Sequence, residues 1–506
     1  MYSELLRLAA PEATVVLTAL IVLAIGLAGK GASAFLSPVA GLGLALAAVA
    51  VLKLPEDATL FGGMFVVSPL NSLFKVICLV LAFFTVILAR GDRALSRHNA
   101  EYLALLLLAS VGLMLLVGSE ELLMIFIGLE LTGLSLYLMT AFDKSDLRSA
   151  EAGLKYFLFG STASAFTLFG LSLVYGMVGT TSLAAIGQTV IATHLSPLLA
   201  AGIVMTLIGL AFKIAAAPFH LWAPDTYQGA PVPSAAFIAS GSKVASFVVL
   251  GKLVLIGFGP LSGNAAWQSM MAGWSPVLAA LAALSILVGN FVALAQTNVR
   301  RLLAYSAVAH AGYTLLGLVA GEGEGFSATL FYTTTYAFTL VGAFGVVGLV
   351  RRETGGDDVV HFAGLRSRSP LLAGCMAIFV LSLAGLPPLA GFFGKFYLFA
   401  AAMRAGTSQD LLWLVALALF GSLISLYYYL IVLKLIFVDE TAAPSASLKP
   451  EPRTPNPSVA RAAFESPNSW NADLLQRLAL ILLAGLVLLL GALPTPLVAR
   501  ILVSLP

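Results

Sequence analysis

The chain has 506 residues, of which 60% are hydrophobic and only 10% charged, with a formal net charge of +3. A soluble domain carries about a quarter charged residues, so the composition excludes a soluble fold and identifies an integral membrane protein. The small net charge gives no footing for nucleic acid, and the two cysteines, Cys78 and Cys375, lie far apart in apolar runs that offer neither a disulfide framework nor a cluster ligand set.

The chain opens on MYSELLRLAAPEATVVLTALIVLAIGLAG, which lacks a charged n-region and a clean small-residue cleavage site and reads as a retained first span. A bilayer core takes about 20 apolar residues per helix. On that measure about fourteen spans follow one another, near 12–29, 34–53, 71–90, 101–118, 121–141, 154–178, 196–222, 231–257, 275–297, 300–319, 326–350, 370–403, 410–438 and 475–503. Their connections alternate in charge. One set holds Arg90, Arg93 and Arg97, then Lys144 and Arg148, Arg300 and Arg301, Arg351, Arg352, Arg366 and Arg368, and finally Lys449, Arg453 and Arg461. The other holds little beyond Lys53 and Arg404 and includes GEGEG (321–325), read as a bare loop. Positive residues stay in the cytoplasm, so both termini are expected on the periplasmic side. The polar stretch 439–473, rich in Pro, Ser and Ala, reads as a flexible cytoplasmic linker.

An ionisable residue in mid-span costs about 2.5–3.5 kcal/mol on insertion scales, so each needs a reason. Glu130 sits in the middle of the fifth span, Lys213 in the seventh, Lys243 in the eighth and Lys395 in the twelfth. Lys252 and Lys434 lie nearer helix ends, where a structural ion pair or a snorkelling side chain is an equal alternative. Lys252 is nine residues beyond Lys243, on the opposite face of the helix. Three deep lysines against one glutamate cannot all be neutralised in pairs, and a buried lysine whose carboxylate partner moves is a proton switch. His220 and His310 are possible relays; His310 shares a helix face with Ser306 and Tyr313. Either histidine is equally well a packing residue. The serines and threonines of GSTASAF (160–166) read as helix-packing contacts.

Proline breaks the pattern twice. Pro218 follows Lys213, and GLPPLAG (385–391) precedes Lys395. A broken backbone is tolerated in lipid only where protein or water covers it. The two interrupted spans are five apart and so cross in opposite directions, the trace expected of inverted repeats around an ion pathway. The fold expected is therefore an all-α polytopic membrane protein of about 14 transmembrane helices with two inverted five-helix repeats, each containing a broken helix. Residues 1–100 hold helices one to three, 101–258 the first repeat, 259–438 the second, 439–474 the linker and 475–506 the last helix.

With Glu130, FKIAAAPFHLWAPDTYQGAP, GSKVASF, NVRRLLAYSAVAHAGY and SLAGLPPLAGFFGKFYLF in view, the chain resembles the antiporter-like subunits of proton-pumping NADH–quinone oxidoreductase, respiratory complex I. Within that family PFHLWAPDTYQGAPVPSAAF, a lysine at position 395, and a chain ending at span fourteen are most similar to the subunit N group, homologous to mitochondrial subunit 2. The resemblance implies that Glu130 and Lys213 form a pair modulating proton affinity, that Lys243 passes the proton laterally, that Lys395 releases it outward, and that His220 belongs to the input region. It also implies a bacterial inner-membrane location, neighbouring antiporter-like and small membrane subunits as partners, and NADH, FMN, iron–sulfur clusters and quinone held by the complex. No cofactor is expected in this chain: clusters need grouped cysteines, and GEGEG, read as a loop, has neither the strand before it nor the helix after it that a dinucleotide fingerprint needs. The same core motifs leave open a subunit of a multi-subunit sodium/proton antiporter or of a membrane-bound hydrogenase.

Overall fold

The computed structural model describes residues 2–29, 34–92, 94–192, 195–405, 410–438 and 467–505. Among them twelve helices are long and apolar enough to cross a membrane. The first half contains α1 (Tyr2–Leu8), α2 (Ala10–Leu27), α3 (Leu36–Leu52), α4 (Pro69–Ala89), α5 (Asn99–Val117), α6 (Leu122–Thr140), α7 (Leu147–Val178), α8 (Leu183–Ala192), α9 (Pro197–Lys213), α10 (Trp222–Gly229), α11 (Val232–Ala239) and α12 (Gly241–Lys252). The second contains α13 (Trp274–Leu294), α14 (Val299–Val319), α15 (Glu322–Thr354), α16 (Leu365–Arg368), α17 (Pro370–Ala384), α18 (Ala390–Arg404), α19 (Leu412–Phe437), α20 (Pro467–Ala492) and α21 (Thr495–Ser504). A small hairpin, β1 (Ala58–Leu60) against antiparallel β2 (Phe65–Val67), lies between α3 and α4. Taking α9–α10 and α17–α18 as two interrupted crossings, the multi-pass architecture is the one expected.

Helix starts follow local chemistry. Ser68, Asp146, Ser196 and Asn298 each accept a hydrogen bond from a first-turn N–H, and Ser68 and Ser196 are followed by proline, which loses nothing at that position. Helices then approach closely through small residues, as in other membrane bundles. A Cβ added to Gly209 of α9 would lie 1.7 Å from the Thr167 hydroxyl of α7. The spans Val232–Gly257, Val299–Val319 and Gly323–Thr354 are each 94% buried in their most apolar window, against 33% for α2 and α7. The centre of the molecule is thus α11–α12, α14 and α15.

The connections bond in two separate sets. At one end Arg352 donates to the Arg90 carbonyl, Arg301 pairs with Asp225, Arg300 with Asp357, and Arg368 with Glu353. At the other, Val66 N–H donates to Gly118, Leu122 N–H to Thr181, and Arg404 pairs with Glu324. This grouping matches the alternation of charge in the sequence.

Four details differ from expectation. GEGEG is not a loop: only Gly321, at φ 68°, stays outside, and α15 starts at Glu322. The Glu324 carboxylate suits a helix N-terminus and is further held 3.0 Å from Arg404. The eighth span bends at Ser240 (φ −116°, ψ −81°), splitting α11 from α12. The last span ends at Ala492, and beyond Pro494 the chain restarts as α21. Of the expected linker, residues 439–466 lie outside the described residues, as do Arg93, Lys449, Arg453 and Arg461, whereas 467–473 form the first turns of α20.

Candidate functional site

The first break begins earlier than its proline. Lys213 is the last helical residue of α9, and residues 214–221 form a non-helical link, with Ala215 at φ 57°, before α10. The freed Phe212 carbonyl accepts from the Trp222 indole at 3.0 Å and the Ala217 N–H donates to Ser285 Oγ at 2.8 Å. Protein therefore covers the opened backbone, as a lipid environment demands. The helix C-terminus carries the negative end of the macrodipole, which favours the cation placed there. The second break repeats the device from the other side: the Lys395 amine, carried by α18, donates to Ala384 O at the end of α17, 3.1 Å away, and to Ser422 Oγ at 2.9 Å. Gly385 caps α17 at φ +85°, and a Cβ there would press on the Lys395 side chain at 2.9 Å.

Glu130 is half-buried between α6 and α7, where its carboxylate accepts from Ser164 Oγ. Ser164 thus departs from the packing role expected of GSTASAF; its neighbours Thr162 and Thr167 only return hydrogen bonds to their own helix. Lys213 lies over Gly133, one turn along α6 from Glu130: a Cβ on Gly133 would be 2.8 Å from Nζ. The amine reaches Tyr137 Oη at 3.5 Å. Glu130 and Lys213 are therefore neighbours without an ion pair, and none of Lys213, Lys243 and Lys395 has a carboxylate partner among the described residues. Tyr137 is held by Gly160, where an added Cβ would meet its hydroxyl at 2.0 Å. Gly160→Ala is expected to displace that ring and destabilise the fold by about 1–3 kcal/mol, as overpacking does; a thermal melt of the purified assembly checks it.

Lys243 donates to Ala307 O at 2.8 Å and lies 5.6 Å from the centre of the Tyr336 ring. That ring leans on His310, 5.0 Å between centres. His310 bonds the Tyr332 hydroxyl through Nδ1 at 2.5 Å and the Tyr429 hydroxyl through Nε2 at 3.3 Å, and Tyr429 in turn bonds Ser306. Beyond it Tyr428 donates to Asn290 Oδ1 (3.3 Å), Asn290 donates to Tyr313 Oη (2.9 Å), and the Tyr313 ring lies under Lys395, 5.1 Å from Nζ. The expected grouping of His310 with Ser306 and Tyr313 is present, inside a larger cluster. A neutral imidazole between two hydroxyls donates through one nitrogen and accepts through the other, so it can hand a proton across. His220 lies on the link after Lys213, its ring 6.2 Å from Tyr305 and its buried Nδ1 without a hydrogen-bond partner among the described residues. Among the described residues no hydrogen bond joins Lys213 to Lys243. No group of three His, Cys, Asp or Glu side chains suited to a metal occurs among the described residues.

Lys252 is one of the two structural alternatives resolved as an ion pair. It is 2% exposed, 3.2 Å from Glu120, and bonds Asn71 Oδ1 at 2.6 Å and Val117 O at 2.9 Å. Sequence reasoning passed over a second pair, Lys75 with Glu12 at 2.7 Å, both buried. It also missed Tyr332, Tyr336, Tyr428, Tyr429 and Asn290. The four-residue spacing of Tyr332 and Tyr336 on α15 was the available signal, since it places both rings on one face.

A polytopic helical bundle that buries amines at the interrupted C-termini of two half-helices is an ion-translocating membrane subunit. The family described as NADH:quinone oxidoreductase/Mrp antiporter, TM, matches residues 119–425. NADH-quinone oxidoreductase subunit N 2 of Acidobacterium capsulatum is 45% identical, over 97% of this chain and 97% of its own. A chain of respiratory complex I from Thermus thermophilus superposes with a TM-score of 0.74 at 32% identity, covering 97% of this chain and 98% of that one. A chain of an archaeal membrane-bound sulfane sulfur reductase shares the fold, with a TM-score of 0.80 at 24% identity over 98% and 97% of the two chains. The chain belongs to the NADH:quinone oxidoreductase/Mrp antiporter family of membrane subunits, in its subunit N group.

Proposed function

We propose that the chain is the proton-translocating subunit N of a respiratory NADH–quinone oxidoreductase, carrying one proton per cycle while partner subunits move electrons from NADH to quinone. What carries this reading is the pair of amines, Lys213 and Lys395, set at broken helix ends with no carboxylate partner among the described residues. Their charge rests on backbone dipoles and hydroxyls, so small shifts of a half-helix change their proton affinity. Glu130 biases Lys213 from one turn away, His220 lies at the input, Lys243 receives the proton, the His310–tyrosine cluster passes it on, and Lys395 releases it. Water has to carry the proton between Lys213 and Lys243. The two broken helices belong to inverted repeats, 101–258 and 259–438, with both termini on the periplasmic side of the inner membrane.

NADH, FMN, iron–sulfur clusters and quinone belong to partner chains. Glu130, half-buried between α6 and α7, is a place for a neighbouring membrane subunit to complete the cover, because lipid solvates a carboxylate poorly at that depth.

Glu130→Gln and Lys213→Ala test the assignment in the whole complex reconstituted in vesicles. The expected result is normal assembly and a lowered proton-to-electron ratio. Reduced assembly with an unchanged ratio in what does assemble would make both residues structural and sink the reading.

A further inference from the structure

Four titratable side chains outside the central axis converge near the face opposite the arginine-rich connections. Lys252 and Lys75 flank one peptide unit: Lys252 donates to Val117 O, and a Cβ built on Gly118 would lie 2.9 Å from Lys75 Nζ. Asn71 lies on the same helix as Lys75, one turn before it, and takes a hydrogen bond from Lys252 at 2.6 Å. Glu120 pairs with Lys252 and is 26% exposed, whereas Lys252 is 2% exposed. Glu120 is thus the more solvent-accessible member of the pair.

Glu120 and Lys252 open onto a cavity of about 680 Å³ whose polar lining also includes Asp57, Thr59, Ser68 and Ser504 of α21, the remainder being mostly apolar, with Leu255 and Phe326 among it. That volume admits many waters, each of which takes about 30 Å³. Behind it the Lys75–Glu12 pair is incompletely satisfied. The ion pair is short, but neither Glu12 oxygen nor the Lys75 amine makes a properly directed hydrogen bond among the described residues.

We propose that Glu120 and Lys252, backed by Lys75 and Glu12, form a second proton-exchanging site through which the first half of the chain communicates with water in this cavity. The proposal rests on the proton-carrying role assigned above. The Lys252 ammonium gives its proton to the Glu120 carboxylate, leaving a neutral amine and a carboxylic acid. The acid then gives the proton to cavity water as hydronium and returns to carboxylate. The amine is reloaded by water from the axis, Lys243 standing nine residues, about 13 Å, back along α12 on its opposite face. Asp57 at the cavity wall and Glu12 and Lys75 behind are the other charged groups that face the pair.

Lys252→Arg separates a proton carrier from a structural cation, because a guanidinium keeps the ion pair but does not deprotonate. In vesicles containing the full complex, with Lys213→Ala as the control, K252R is expected to assemble, oxidise NADH and show a proton-to-electron ratio as low as the control. The near-isosteric Glu120→Gln is expected to do the same. A wild-type ratio in both variants beside an impaired control overturns the second site alone, and a wild-type ratio in the control as well overturns the underlying role. If neither variant assembles, the pair is structural and the proposal fails.

Discussion

Lys243→Met is expected to abolish proton passage through this subunit while leaving the fold in place. Methionine keeps the apolar stem of the side chain and lacks only its terminal amine, and the one directed hydrogen bond lost is that to Ala307 O. A backbone carbonyl within a helix has its own partner and tolerates that loss. The proton, by contrast, loses the only ammonium in the eighth span that faces α14 and the His310 cluster. Removing a positioned proton-transfer group typically slows transfer by about 10²–10⁴-fold. Proton flux measured in vesicles during NADH oxidation should fall accordingly, and Lys243→Arg should not restore it, since arginine holds its proton. Flux at the wild-type level in Lys243→Met would remove Lys243 from the route.

Asp357→Asn should give the largest loss of stability at the arginine-rich end. Asp357 pairs with Arg300, accepts from Asn298 Nδ2 at 2.7 Å and has Arg351 at 4.0 Å. Arg300 also donates to Ala230 O at 2.8 Å, which ties the link between α10 and α11 to the start of α14. The paired side chains are 4% and 12% exposed, and removing one member of a buried pair costs about 3–5 kcal/mol. Burial works to raise the Asp357 carboxyl, but the Arg300 guanidinium, the Asn298 amide and Arg351 outweigh it and hold the group below its ordinary value. A carboxyl lowered in the folded state contributes fully above its unfolded value, and the contribution is lost as pH falls through the folded one. Acid should therefore narrow the gap in melting temperature between wild type and Asp357→Asn. A gap that stayed constant down to strongly acidic pH would show that the charge is not what stabilises this corner.

The deep charges and the two breaks were legible because each violates the rule of its surroundings. An ion in a 20-residue apolar run stands out, and so do Pro218 and Pro387–Pro388. What the breaks do was less legible. Spacing places Lys213 and Lys395 beside prolines, but only coordinates place their amines at helix C-termini, one on its own helix and one reaching across to Ala384. The tyrosine cluster escaped notice because Tyr332, Tyr336 and Tyr429 look like ordinary apolar filling until three helices bring them to one histidine. Lys75 and Glu12 escaped for a different reason: both lie within a turn or two of a helix start, where a charge reads as interfacial. Ser164 was taken for packing because hydroxyls in small-residue stretches usually are, and nothing in the order of residues says that Glu130 stands opposite.

The half-buried Glu130 has a consequence for biogenesis. A newly inserted copy presents an ionisable group to hydrocarbon at a cost of about 2.5–3.5 kcal/mol, relieved when a neighbour docks over α6 and α7. An undocked copy is therefore expected to carry that cost at Glu130 and a docked copy to be relieved of it.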